Sequence, residues 1–395
     1  MTSPSPRLRF QIVAATLARM IVNTAHRMIY PFLPAFSRGL GVPLESLTLV
    51  LSVRGGLGMT SPFFGVVPDR LGRRQAMLIG LAIFCAALAL LGLLPSYPAF
   101  FAAIVLVVVA KFIFDPSLQA YLGDRTPYAQ RGLVIAITEI GWSGAALIGI
   151  PLVGFLIARG GWQTPFLPLA GLGLASGLVL WRMIPRDAPH PAHADPPGAP
   201  GAGRPPNRLA AVWLNPRILA AMSLGLLTSA ANECLNAVYG AWMEQTFGLP
   251  VAALGLSTTV LGVAELAGEG LVMWLADRLG KRRSIAIGLL ASAAAYMLLP
   301  FLTRQLALAL AGLFFIFIAF EFAIVASIPL MTELVPEARG TVMSGNVAFH
   351  SAGRMLGALV GGYLFRFGFL WNSAASAFFN LIALAVVVLV VRERK

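Results

Sequence analysis

Charged residues are scarce in this chain. Asp, Glu, Lys and Arg make up 11% of its 395 residues, whereas hydrophobic residues make up 58%. A soluble globular protein carries about 25% charged residues, so this chain cannot cover its surface for water. Apolar runs of about 20 residues recur along its length, each long enough to cross the hydrocarbon core of a bilayer. The composition therefore predicts an all-α membrane protein.

Cys and His are also rare, with two and four copies. Cys85 and Cys234 fall in separate predicted helices, so we expect no disulfide framework. His190 and His193 lie in a Pro-rich tract, so we expect them to be solvated. The sequence contains no nucleotide-binding loop, no zinc-ligand spacing and no nucleophile beside a base. We therefore expect no metal and no cofactor, and we do not expect an enzyme.

The apolar runs predict twelve transmembrane helices. They cover residues 10–36, 45–68, 75–95, 97–122, 131–158, 163–184, 214–246, 251–276, 284–302, 304–332, 338–365 and 369–391. A tract rich in Pro, Ala and Gly separates the sixth from the seventh and predicts a flexible linker. The predicted domains are an amino-terminal six-helix bundle (1–184), a linker (185–212) and a carboxy-terminal six-helix bundle (213–395).

The net charge of +13 is distributed unevenly. Loops on the side of the chain ends hold 20 Lys and Arg, the opposite loops hold four, and the helices hold five. Such a bias predicts that both chain ends are cytoplasmic. The excess is thus explained by topology, and we expect no nucleic-acid partner. The expected partners are the lipid bilayer and a small-molecule substrate, for a monomer in a bacterial cytoplasmic (inner) membrane.

One charged turn occurs twice. The first copy reads Asp69-Arg70-Leu71-Gly72-Arg73-Arg74, and Asp277-Arg278-Leu279-Gly280 follows at an offset of 208. Two further landmarks repeat in the same order. Gly41-Val42-Pro43-Leu44 is echoed by Gly248-Leu249-Pro250-Val251, and the segment 127–132 is echoed by 336–340. Three matched landmarks predict a duplicated bundle.

These motifs resemble those of the major facilitator superfamily of secondary transporters, whose signature loop is Gly-x-x-x-Asp-Arg-x-Gly-Arg-Arg. The second copy departs from it at Met273, which replaces the first Gly. The resemblance implies two six-helix bundles that rock around a midplane cavity. It also implies a charged network that stabilises the outward-open state. The residues expected in this gating motif are Gly65, Asp69, Arg70, Gly72, Arg73, Asp124, Arg131, Asp277, Arg278, Gly280 and Arg339.

Ionisable residues inside the predicted helices are functional candidates, because a charge in the bilayer is costly. Lys111 and Asp115 are spaced i, i+4 and so can neutralise each other; a purely structural pair is the alternative. Glu265 and Glu269 have the same spacing but like charges, so one is expected to hold a proton unless Glu269 pairs with a loop Arg. The expected proton-coupling residues are Lys111, Asp115, Glu139, Glu265, Glu269 and Glu321.

Polar residues on the first and seventh predicted helices indicate a substrate cavity. Asn23, Arg27 and Tyr30 share one face of the first helix, whereas His26 is expected to face away and pack elsewhere. The expected cavity residues are Asn23, Arg27, Tyr30, Arg54, Glu233, Asn236 and Arg354.

Proton-coupled efflux of amphipathic compounds is the leading hypothesis for function. The stretch Gly149-Ile150-Pro151-Leu152-Val153-Gly154 resembles the Gly-Pro-x-x-Gly-Gly motif of antiporters in the superfamily, with Ile150 inserted, which favours export. The alternatives are an importer or exchanger of an organic anion held by Arg27 and Arg54, and a flippase for a lipid head group. A membrane-embedded enzyme and a transporter-like sensor are less favoured.

Overall fold

The chain folds into helices joined by short turns. A computed structural model describes residues 6–64, 67–126, 128–185, 215–334 and 339–389, and these contain no strand. The all-α prediction is therefore confirmed. The amino-terminal half contains α1 (Pro6–Arg27), α2 (Ile29–Leu40), α3 (Leu44–Leu57), α4 (Ser61–Phe64), α5 (Val67–Leu71), α6 (Arg73–Leu93), α7 (Tyr97–Arg125), α8 (Tyr128–Gly144), α9 (Ile150–Gly160) and α10 (Phe166–Met183).

The carboxy-terminal half repeats this arrangement. It contains α11 (Pro216–Asn236), α12 (Tyr239–Phe247), α13 (Val251–Leu279), α14 (Lys281–Leu298), α15 (Leu306–Leu334), α16 (Arg339–Phe365) and α17 (Phe369–Leu389). Together the helices form the twelve predicted spans. Of the described chain, nine stretches are long and apolar enough to cross a membrane by length and composition. The other three spans, α1–α2, α3–α4 and α16, carry Arg27, Arg54 and Arg354 at the cavity described below.

Backbone residues with positive φ occur at corresponding positions in the two halves. In the described ranges the residues with positive φ are six glycines, which form three pairs at offsets of 207 or 208: Gly41 with Gly248, Gly72 with Gly280, and Gly161 with Gly368. Gly72 (φ 88°, ψ 153°) and Gly280 (φ 84°, ψ 151°) each precede the first residue of the next helix. An L side chain is strained in this region, so both charged turns require Gly at the same point.

The first span of each half is broken, which the sequence analysis did not predict. α1 ends at Arg27 and α2 begins at Ile29, because Pro31 has no N–H to donate to the carbonyl of Arg27. The seventh span is interrupted at the corresponding place, between Asn236 and Tyr239. Both breaks lie beside the charged residues of the central cavity, and they turn polar side chains toward it.

The twelve spans alternate in direction, so the start of the first span and the end of the last span lie on the same side of the molecule. We call this the terminal side. Turns at 41–43, 94–96, 161–165, 248–250, 303–305 and 366–368 lie on the opposite side, the far side. Gln11 at the start of α1 donates to the carbonyl of Met183 at the end of α10 (2.8 Å), which joins the terminal-side ends of the first and sixth spans.

The halves touch closely toward the far side. A Cβ on Gly240 of α12 would lie 2.3 Å from the carbonyl oxygen of Pro31 in α2. Farther out, Arg38 makes a bidentate ion pair with Glu244, with N–O distances of 2.7 and 2.9 Å. These contacts join the two halves across the far side of the space that they enclose.

Candidate functional site

The two halves enclose a central cavity of about 410 Å³. This volume falls in the range of small-molecule sites, about 300–1,000 Å³. Aromatic residues of both halves, Phe112, Trp142, Phe317 and Phe320, form part of the wall. Nine of the residues that the sequence analysis singled out line the cavity: Arg27, Tyr30, Arg54, Lys111, Glu233, Asn236, Glu265, Glu321 and Arg354.

A buried ion pair joins the halves across the cavity. Arg27 of α1 binds both carboxylate oxygens of Glu265 in α13, at 2.6 and 2.9 Å. Their side chains are 9% and 5% exposed, so water screens the pair little. Arg27 also donates to the carbonyl oxygen of Trp142 (3.1 Å), and its guanidinium lies 4.3 Å from the centre of the Trp142 ring. Arg27 is thus fixed by one half and neutralised by the other.

This pair changes the expectation for the two α13 carboxylates. Glu265 was expected to compete with Glu269 for a proton, but its two oxygens are held by Arg27. Glu269 is half-buried and makes no ion pair with any described residue, so the alternative of a loop Arg partner is not met there. The i, i+4 spacing identified neighbours on one helix, whereas the stronger partner lies on the opposite half.

A third carboxylate, Glu321 of α15, lines the cavity near Glu265 and Glu269. Its Cβ would lie 2.6 Å from a Cβ on Gly268, so α15 packs closely against α13 at this level. The charged groups around Glu321 are Glu265, Glu269 and Arg27. Within the described parts of the chain, Glu321 has no ion pair or hydrogen bond. We call Glu265, Glu269 and Glu321 the acidic wall.

A second cluster lies on the opposite side of the cavity. Arg54 of α3 donates to Nε2 of His26 (2.7 Å) and to the hydroxyl of Tyr30 (3.3 Å). The Tyr30 hydroxyl in turn donates to the carboxylate of Glu233 in α11, with O–O distances of 2.9 and 3.2 Å. The expectation that His26 faces away from the cavity is therefore corrected. His26 and Arg27 are consecutive residues of α1 and both line the cavity, with His26 directed to Arg54.

Arg354 of α16 completes this cluster. Its side chain is exposed to the cavity, and no described residue forms an ion pair or hydrogen bond with it. A Cβ on Gly55 would lie 3.0 Å from the carbonyl carbon of Arg354, so α3 and α16 are in backbone contact here. Arg54 and Arg354 therefore line the cavity from two touching helices of different halves. We call these two, with His26, Tyr30 and Glu233, the basic wall.

A third charged cluster lies within the amino-terminal half. Lys111 donates to Asp115 (2.5 Å) and to the side-chain oxygen of Asn23 (2.6 Å). Arg19 lies 3.4 Å from Asp115 and 2.7 Å from Glu139. The cluster is neutral as a whole, and only Lys111 faces the cavity.

Two expectations change as a result. Asn23 was expected to face the substrate, but its side chain is fully buried and also donates to the carbonyl oxygen of Gly141 (3.2 Å), so it holds Lys111 in place. Asp115 and Glu139 likewise do not line the cavity and instead hold Arg19. The sequence analysis did not select Arg19. Its position inside an apolar run, eight residues before Arg27, is the sequence feature that indicates a buried charge.

The charged turns lie on the terminal side. Arg73 is 3.4 Å from Asp124 of the same half, and Arg70 and Arg278 are exposed. Gly65 and the side chains of Asp69, Arg131, Asp277 and Arg339 lie outside the described residues. Among the described residues, no group of three His, Cys, Asp or Glu is placed to hold a metal ion.

The fold and the cavity agree with the comparisons with known proteins. The sequence pattern of the Major Facilitator Superfamily matches residues 15–231 and 221–395. The chain belongs to this superfamily, and it is a multi-pass membrane transporter. It is 26% identical over 347 residues to an uncharacterized MFS-type transporter of Bacillus subtilis (strain 168), YceJ, covering 88% of this chain and 87% of YceJ.

Two further proteins illustrate the range of similarity. The chain is 22% identical over 375 residues to Multidrug resistance protein 2 of Bacillus subtilis (strain 168), covering 93% of this chain and 92% of that protein. Its fold is similar to that of a bacterial homolog of the human lysosomal transporter Spinster in an inward-facing, unoccupied conformation. The TM-score is 0.79 at 17% identity, with 98% of both chains covered.

Proposed function

We propose that this transporter exports amphipathic small molecules from the cytoplasm in exchange for protons. The observation that carries the proposal is the buried pair of Arg27 and Glu265, which spans the two halves inside a cavity of mixed polar and aromatic character. A transporter that alternates between two openings needs a contact between its halves whose strength depends on proton binding. A carboxylate held by an Arg of the other half meets this requirement, because protonation removes one of the two charges.

The proposed cycle starts from the conformation with contacts on the far side. Glu265 is ionised while Arg27 holds both of its oxygens, and the substrate enters from the terminal side. Rocking of the halves opens the far side and separates Arg27 from Glu265. A proton from that side then neutralises Glu265, which Arg27 no longer holds. The return movement re-forms the pair and releases the proton into the cytoplasm.

Two observations favour export. The chain is similar along most of its length to Multidrug resistance protein 2 of Bacillus subtilis. The antiporter-like stretch around Pro151 contains an irregularity, because Ala145–Gly149 is a π-helical segment. A π-helical turn accommodates one inserted residue in a helix, and such turns occur frequently at functional sites. The inserted Ile150 is thus absorbed by the helix without disrupting it.

The test uses purified protein in liposomes with an acidic lumen. Two fluorescent probes are added outside, the cation rhodamine 6G and the anion 11-(dansylamino)undecanoate. We expect at least one probe to accumulate in the lumen and the lumen to become less acidic as it does so. Accumulation that persists unchanged after nigericin has collapsed the pH gradient contradicts proton coupling.

Glu265→Gln is the variant that tests the proton site. We expect it to lose gradient-driven accumulation and to retain exchange of labelled for unlabelled probe, because the Gln side chain keeps its shape and loses its proton site. Glu45→Gln is the matched control, since Glu45 is half-exposed on the far side with a weak contact of 3.7 Å to Arg366. Wild-type coupling in Glu265→Gln excludes this residue as the proton site.

A further inference from the structure

We propose that the basic wall is a subsite for an anionic group, so that the transported amphipath carries a carboxylate or a phosphate. This inference rests on the proposed function only in taking the central cavity as the substrate site. It assigns the substrate head group to Arg54 and Arg354, and not to Arg27, which the sequence analysis had considered for an organic anion.

The first argument is the partners of Arg54. Its side chain is only 7% exposed, and among the described residues its guanidinium contacts the neutral groups His26 and Tyr30. His26 accepts at Nε2 and is therefore the neutral tautomer, since Arg54 has no other role there than donor. A buried guanidinium without a carboxylate in direct contact is costly, because the desolvated charge is not neutralised locally.

The second argument is the charge balance of the basic wall. Glu233 is a cavity carboxylate on which the charges of both arginines act, and it is linked to Arg54 through the hydroxyl of Tyr30. One carboxylate thus faces two guanidinium groups. The other carboxylates that line the cavity belong to the acidic wall, where Glu265 is held by Arg27. The basic wall is therefore short of one negative charge.

The third argument is geometry. The backbone contact at Gly55 holds α3 against α16, and Arg54 and Arg354 line the same cavity from these two helices of different halves. Two guanidinium groups that line one cavity can both donate to the oxygens of a carboxylate or phosphate. Apolar residues of α15 continue the same cavity toward the terminal side, namely Phe320, Ile324, Val325 and Ile328. The anionic head and the apolar tail of one molecule thus each find a matching surface.

The structure also indicates what the subsite does in the cycle. Because Arg54 and Arg354 belong to different halves, an anion bound to both strengthens the contact of α3 with α16. Movement of the halves then depends on whether the anion is present, which couples cargo to conformation. The acidic wall, which the anion does not touch, remains available for the proton.

The experiment measures binding to the full chain in nanodiscs of neutral lipid, read by the change in tryptophan fluorescence, to which Trp142 in the cavity contributes. The probes share a twelve-carbon tail and differ in the head group: dodecyl phosphate, dodecanoate, dodecanol and dodecyltrimethylammonium. We expect the phosphate and the carboxylate to bind at least tenfold more tightly than the alcohol. Inorganic phosphate and didecanoyl phosphatidic acid separate a soluble anion and a two-chain lipid from a single-chain amphipath as the source of the group.

Arg354→Gln is the test variant and Arg304→Gln, exposed in a far-side turn, is its control. We expect Arg354→Gln to weaken binding of dodecyl phosphate about tenfold to a hundredfold, as expected for loss of one charge-assisted contact, and to leave dodecyltrimethylammonium unchanged. Arg354→Lys should lose less, because it keeps the charge without the planar fork. Equal binding of dodecyl phosphate and dodecyltrimethylammonium, or unchanged binding of dodecyl phosphate by Arg354→Gln, overturns the subsite. Proton coupling is judged separately by Glu265→Gln, so each proposal fails on its own measurement.

Discussion

At the residue scale, the ion pair of Arg27 and Glu265 makes a prediction about stability. Arg27→Gln leaves Glu265 buried and unpaired, and we expect destabilisation of about 3–5 kcal/mol, as for other broken buried pairs. Adding Glu265→Gln removes the stranded charge, so the double variant should be more stable than Arg27→Gln alone. The melting temperatures of the wild type, Arg27→Gln and the double variant in detergent measure this.

Arg38 offers a matched control for that prediction. It also binds a carboxylate in a bidentate manner, through Glu244, but its side chain is 60% exposed. Arg38→Gln should therefore change stability by less than about 1 kcal/mol. If Arg27→Gln and Arg38→Gln shift the melting temperature equally, burial does not determine the contribution of the Arg27 pair, and the argument for its central role fails.

The residues of the cavity could be selected from the sequence more readily than their partners could. Arg27 and Tyr30 stand at helical spacing in an apolar run, and this alone indicates a polar face. Glu265 is 238 residues from Arg27, and no spacing rule connects them. For the same reason Arg19, an ionisable residue inside a predicted helix, was assigned no role, because its partner Glu139 belongs to another helix. Local periodicity identifies a face, but only tertiary structure identifies the partner.

At the element scale, the π-helical segment before α9 has a specific consequence. The N–H of Ile150 bonds to the carbonyl of Ala145, and the next residue, Pro151, has no N–H. The carbonyl of Ala146 therefore lacks a helical donor. Thr258 of α13, in the other half, lies with its hydroxyl 3.1 Å from this oxygen and 2.7 Å from its own Gly255 carbonyl.

We predict that Thr258→Val weakens the conformation closed on the far side. The substitution keeps the volume of the side chain and removes the donor, so the Ala146 oxygen is left unsatisfied only while the halves touch. The cost of about 1 kcal/mol corresponds to a shift of about fivefold in the population of the open far side. Spin labels on cysteines that replace Pro95 and Arg304, both exposed in far-side turns, report the distance between the halves in a background without Cys85 and Cys234.

Ser257→Ala provides the control for this measurement. Ser257 is the neighbour of Thr258, and its hydroxyl contacts Tyr239 and Leu254 of its own half. Its loss should leave the distance distribution unchanged. A larger shift in Ser257→Ala than in Thr258→Val would show that the contact between Thr258 and Ala146 does not hold the far side closed.

The helices themselves were predictable to different degrees. The twelve apolar runs indicated the spans, because bilayer thickness fixes their length. The break in the first span was also encoded, in Pro31, but its effect was hidden by the apolar residues on both sides. The break before Tyr239 has no Pro. The duplication places it at the position that corresponds to the first break. The helices that follow the two breaks, α2 and α12, touch each other where Gly240 packs against Pro31.

At the scale of the whole molecule, the charges are divided between the halves. The charged cavity residues of the amino-terminal half are all basic, with Arg27, Arg54 and Lys111, whereas the other half supplies the carboxylates of Glu233, Glu265 and Glu321 together with Arg354. Each conformational change therefore moves charges of opposite sign relative to each other. The duplication supplied two equal scaffolds, and the unequal charges allow one surface to bind the cargo and another to bind the proton.

The pair of Arg38 and Glu244 provides the last prediction, on movement of the halves. Because this pair joins α2 and α12 on the far side, the halves must separate there when the cavity opens in that direction. We predict that Arg38→Cys with Glu244→Cys, crosslinked by a short bismaleimide in the background without Cys85 and Cys234, stops transport. The crosslinked protein should still bind dodecyl phosphate from the terminal side, because the cavity remains intact. The same cysteines without the crosslinker, and each cysteine alone with it, are the controls. Transport at the uncrosslinked rate after complete crosslinking would mean that the far side does not open at this contact, and alternating access would then need another path.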